Sequence, residues 1–202
     1  MSKQTVENQG IISHLPVPEG FLQSSKDGEP NNYLEFESRT SGALICYEQS
    51  PEPFDQEKIA LVETVFAEDL SSNNSRELNI SGDPSKEIDD SEFFTTMSFA
   101  FIMGGYLTRG NTIMDLEKSK WILQSIECDA GKRNIVLGRI KFINPMGRRH
   151  KREMLLVLPC APGENGCGYL WLEGNSSEIR RFEKPFLEAI AKSNFRKLAK
   201  AE

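Results

Sequence analysis

The chain alternates between the two-residue period of strands and the three-to-four-residue period of helices. Over Tyr33–Glu37, Leu34 and Phe36 interleave with Glu35 and Glu37, which puts the apolar pair on one strand face and the acids on the other. Ser38-Arg39-Thr40-Ser41-Gly42 supplies a turn and Ala43–Tyr47 is a second apolar run, so the two segments predict a β-hairpin. Before it, Leu15–Leu22 is a short apolar stretch broken by Pro16 and Pro18, which suits a sheet edge or an extended lead-in. Pro51-Glu52-Pro53 stops the sheet. Asp55 then caps an expected helix whose apolar positions are Ile59, Val62, Phe66 and Leu70.

The second half reads more clearly. Trp121–Cys128, Asn134–Ile143, Met154–Leu158 and Gly168–Leu172 are four strand-like runs. The short links between them imply antiparallel neighbours, because a parallel crossover needs a dozen or more residues. Glu173-Gly174-Asn175-Ser176-Ser177 launches a last helix with Ile179, Phe182, Phe186 and Ile190 on one stripe and Arg180, Arg181, Lys184 and Lys192 off it. Pro185 interrupts its hydrogen bonding, and Phe195 and Leu198 extend its apolar face. Two stretches remain open. Ser71–Glu92 is a polar, acidic loop in which Leu78 and Ile80 suggest a short edge strand. Phe93–Leu107 fits a strand or a helix; its β-branched and aromatic residues and Gly104-Gly105 favour a strand.

Together these elements predict an α+β fold: a predominantly antiparallel sheet of about six or seven strands covered by two main helices, Asp55–Leu70 and Ser177–Leu198. Residues 1–15 form a flexible N-terminal arm and residues 16–202 a single domain with an acidic loop at 71–92. The N-terminus lacks the apolar core of a signal peptide and no run approaches the roughly 20 apolar residues of a spanning helix, so the expected location is the cytoplasm.

Charge changes this picture. The 202 residues carry 24 basic and 30 acidic side chains, a net of −6. Residues 1–93 hold 19 acidic and 6 basic groups, and the remainder 11 and 18, so an acidic half faces a basic one. Most of the positive excess lies between Lys132 and Arg152, where no acid intervenes. Arg139 and Lys141 share a strand face, and Arg148-Arg149-His150-Lys151-Arg152 lies at or beside a hairpin tip. Such a patch grips phosphates, anionic lipid or an acidic protein, or it faces the acidic half of its own chain. Negative net charge and the lack of interleaved aromatic residues favour a protein partner over nucleic acid or anionic membrane. Oligomeric state is not fixed by sequence.

Catalytic spacings are missing: there is no G-x-S-x-G, no G-x-x-x-x-G-K-[ST] and no G-x-G-x-x-G. No cofactor motif is present. The four cysteines, Cys46, Cys128, Cys160 and Cys167, and the two histidines, His14 and His150, do not fall at zinc spacings. Cys160 and Cys167 flank a loop across which they stay reduced or pair. The resulting expectation is a non-enzymatic interaction or accessory protein acting through the surface of Arg139, Lys141, Arg148, Arg149, His150, Lys151 and Arg152. The alternatives are an enzyme with a site assembled from distant residues, or an electrostatic binder of nucleic acid or anionic membrane.

Both ends of the chain resemble the PsbP-like and Mog-type (Ran-binding) α/β/α sandwich family. Pro16-Val17-Pro18-Glu19-Gly20-Phe21 is similar to that family's lead-in to its first hairpin. Gly168-Tyr169-Leu170-Trp171-Leu172, Phe182-Glu183-Lys184-Pro185-Phe186 and Ser193-Asn194-Phe195 resemble its last strand and closing helix. Asp55–Leu70 falls where the family places its first helix. The resemblance implies a non-catalytic binding or accessory module and carries over no site residue.

Overall fold

The computed structural model describes residues 5–9, 12–24, 33–49, 75–77, 113–115, 118–128, 131–144, 146–159 and 168–195. The strands are β1 (Thr5–Gln9), β2 (Ile12–Pro16), β3 (Phe21–Gln23), β4 (Tyr33–Ser38), β5 (Leu44–Gln49), β6 (Ser75–Glu77), β7 (Ile113–Met114), β8 (Lys120–Cys128), β9 (Gly131–Ile143), β10 (Arg149–Pro159), β11 (Gly168–Asn175) and β12 (Asn194–Phe195). Among the described residues one helix, α1 (Ser176–Ala191), precedes β12.

Nine strands form one antiparallel sheet in the order β3-β4-β5-β11-β10-β9-β8-β6, with β7 also on β9. It joins an N-terminal meander, β3 to β5, to a C-terminal one, β8 to β11, through the β5–β11 pair. A second sheet, β1-β2-β12, ties the two ends of the described chain together. Thus Thr5–Gln9 lies inside the 1–15 segment expected to be a loose arm and Ile12–Pro16 ends it, and both are paired strands.

The expected layout of six or seven strands under two main helices is corrected. Among the described residues the large sheet has nine strands and a single helix packs on it, so the fold is mostly sheet. The Asp55–Leu70 helix, the Phe93–Leu107 run, Leu78 and Ile80 lie outside the described residues, as do Cys160 and Cys167. The closing helix also stops earlier than the Ser177–Leu198 expectation, because Lys192 and Ser193 bond back to its last turn and Asn194–Phe195 leaves as a strand. Phe195 is therefore not part of its apolar stripe.

Register explains which side chains meet the helix. Tyr47, Leu170, Val157 and Leu137 stand in one cross-strand row, and Ile45, Leu172, Leu155 and Arg139 in another on the same face. Ile179, Phe182, Phe186 and Ile190 of α1 bury against these rows, and Phe182 meets Phe21 edge to face at 5.0 Å. The opposite face is buried too, along Cys46, Trp171, Leu156, Gly138 and Trp121. That is why β10 and β11 read as unbroken apolar runs: a strand buried on both faces has no polar alternate positions.

Asn175 caps α1. Its Oδ1 accepts from the Ser177 and Glu178 amides at 2.9 and 3.1 Å, while Glu178 Oε2 accepts from the Asn175 amide at 2.7 Å. The other oxygen of Glu178 accepts from the Gly42 amide at 3.0 Å, which fixes the helix start to the β4–β5 turn.

Gly138 lies beneath Trp121, where a Cβ would stand 2.5 Å from the indole ring. Trp121 is almost fully buried, so a shift of its ring must displace packed neighbours. Gly138→Ala is expected to cost about 1–3 kcal/mol, as overpacking does, read as a lower midpoint in urea unfolding with an unchanged slope.

Candidate functional site

The basic residues singled out by sequence come from β9, β10 and the turn between them. Arg139 and Lys141 both project toward α1, because alternate residues of β9 share a face. The Arg139 guanidinium binds both carboxylate oxygens of Glu183 in α1, one of them at 2.8 Å. That fork holds the Glu183 carboxyl below its ordinary value of 4.5 against the opposing effect of burial. The same contact raises the Arg139 pKa.

Glu153 is the centre of the arrangement. It is 7% exposed and sits directly opposite Lys141. Lys141 Nζ donates to Glu153 Oε2, and Ser176 Oγ and Arg149 donate to Oε1, the latter at 2.7 Å. Burial alone pushes this carboxyl up; the three donors outweigh burial and leave it below 4.5. One carboxylate therefore joins β9, β10 and the first residue of α1.

The pairing is irregular here. Arg149 lies opposite Ile143 and Glu153 opposite Lys141, so β10 carries two more residues than β9 over this stretch. Within the bulge the Arg152 amide donates to His150 Nδ1 at 3.2 Å. The Arg152 side chain crosses to Glu173 on β11 at 2.6 Å and to the Gly42 carbonyl at 3.0 Å.

Of the seven residues expected to form the surface, Arg139, Lys141, Arg149 and Arg152 are thus paired inside the fold. Arg148 and Lys151 are exposed and, among the described residues, their side chains have no acidic partner. His150 is half-buried. The acids Glu153, Glu173 and Glu183 are not among the site residues expected from the sequence. Glu153 and Glu173 fall outside the basic run, and only strand register brings them to it. Arg180 and Arg181 add exposed cations on α1, and their place off its apolar stripe is visible in the sequence.

Among the described residues no three His, Cys, Asp or Glu side chains are grouped so as to hold a metal ion. His14 lies in β2 opposite Glu7 and Asn194, far in sequence from His150. Cys46 is buried and unbridged. A small apolar cleft lies between Leu15, Val17, Phe36, Tyr47 and Phe186. No described helix is long and apolar enough to cross a membrane.

The two depressed carboxyls make a pH prediction. Unfolding releases them to titrate near 4.5, so the unfolded chain takes up protons first as pH falls. The stability they contribute is complete above that range and is lost progressively below it. Glu153→Gln is expected to lower stability at neutral pH by about 1–3 kcal/mol and to flatten the decline below pH 4.5, measured by urea unfolding across pH.

No family model matches the chain, and no curated protein matches it. Solved structures do. Cyanobacterial PsbP (CyanoP) from Synechocystis sp. PCC 6803 is similar over 97% of this chain and 94% of that one, at 11% identity and a TM-score of 0.53. A mutant of the protein Mog1 is similar over 95% and 90%, at 11% identity and a TM-score of 0.31. Human STARD10 is similar over 86% and 70%, at 9% identity and a TM-score of 0.27. Both groups named from the ends of the sequence are among these neighbours. Of the three, only the first bears on the fold, and at that identity the likeness is one of fold alone.

Proposed function

We propose that this chain is a non-enzymatic interaction or accessory protein of the cytoplasm that docks on an acidic protein surface through the tip of the β9–β10 hairpin. The observation that carries this reading is the contrast between paired and unpaired cations. Arg139, Lys141, Arg149 and Arg152 are each paired with Glu183, Glu153 or Glu173, whereas Arg148 and Lys151 next to them are exposed and without an acidic partner among the described residues. A cation paired within the fold has less charge to offer a partner than an unpaired one on the surface.

The pairing also identifies the right probe. Arg149→Glu would place a second acid against Glu153 and disturb the fold, so its effect on binding would be uninterpretable. Arg148→Glu with Lys151→Glu touches no internal pair. This double variant is expected to keep the wild-type melting temperature within about 2 °C, since exposed substitutions of this kind change stability little. It should lose capture of acidic proteins that wild type retains at low salt. Equal capture by both forms overturns the reading.

A further inference from the structure

We infer that Met146 is an apolar anchor on this tip, and that the partner surface carries an apolar pocket ringed by carboxylates. The inference rests on the docking reading above and names what that docking recognises. Met146 is 77% exposed and is the one large apolar side chain left exposed among the described residues. A single exposed apolar group is ordinary on a protein surface and by itself means little. Here it sits on a turn built to hold it.

Asn144 Oδ1 accepts from the amides of Met146 at 3.0 Å and Arg148 at 2.9 Å. The Asn144 backbone closes the turn twice more, donating to the Arg148 carbonyl and accepting from the Gly147 amide, both at 2.8 Å. Gly147 takes φ +74°, a conformation that side-chain-bearing residues rarely adopt. The backbone from Met146 to Arg148 is therefore hydrogen-bonded before any partner arrives, which removes an ordering cost from binding. Its side chain is unbranched and polarizable and adapts to irregular pockets. Arg148, two residues on in the same turn, and Lys151, further along in β10, are exposed and have no acidic partner among the described residues. An apolar centre with a charged rim is the usual anatomy of a protein docking site.

The same chemistry suits a membrane less well. Stable attachment to lipid needs an apolar insertion plus a polybasic patch, and Arg148 and Lys151, the two cations near Met146 without an acidic partner among the described residues, do not make one.

Selection of a displayed random peptide library against the full chain tests the inference. Enriched peptides should combine Asp or Glu with Leu, Ile or Phe. Their binding should fall roughly tenfold or more on Met146→Gln and on the Arg148→Glu, Lys151→Glu double variant, both with unchanged melting temperature. Acidic peptides lost on charge reversal yet indifferent to Met146→Gln overturn the anchor and leave the charge reading standing. No enrichment, or peptides indifferent to both variants, overturns both. Binding to phosphatidylserine vesicles that either variant abolishes, with no peptide enriched, also overturns the protein-pocket inference.

Discussion

A carboxylate taken out of water must recover its hydrogen bonds from the protein, and Glu153 does so from three directions at once. Lys141 approaches from β9, Arg149 from its own strand and Ser176 from the first residue of α1. The cost of burying the charge is repaid only while all three are in place. The β-bulge that brings Arg149 within reach, the cap that starts α1 and the register of β9 against β10 therefore depend on one another. Glu183, two turns along the helix, repeats the arrangement with Arg139 and fixes the helix axis across the sheet.

This internal pairing reshapes the charge asymmetry of the chain. By composition the second half is strongly basic. In the fold, four of its hairpin cations share three carboxylates that hold strands and helix together, and near Met146 the exposed cations without an acidic partner among the described residues are Arg148 and Lys151. A docking reading that treats the whole basic run as surface would mistake structural ion pairs for a binding patch. The narrower tip also argues against a phosphate-driven mode, which draws its affinity from many simultaneous cation contacts.

Much of the sheet was legible in the sequence because turn chemistry and apolar runs are local signals. The four C-terminal strands and the Tyr33–Tyr47 hairpin lie where the pattern predicts them. So does the start of α1, where Asn175 and Glu178 make the capping box. The β1–β2 hairpin was not legible: Thr5–Gln9 is polar, and its order comes from pairing to β2, which in turn pairs with β12 near the far end of the chain. The strand count and the single described helix also lie beyond local pattern. At the site, the bases were visible as a run but their partners were not. Glu173 and Glu183 are 21 and 44 residues from the arginines they hold. Only the register of a sheet, together with a helix folded back on it, brings groups that far apart into contact.

The central claim is that Glu153 and its donors act as one coupled unit rather than as separate surface pairs. A double-mutant cycle on Lys141→Met and Glu153→Gln, read by urea unfolding at neutral pH, measures that coupling directly. The account predicts that the two changes are non-additive by about 1 kcal/mol or more, because each single variant strands a partner that the double variant removes. Additivity within about 0.3 kcal/mol would contradict it.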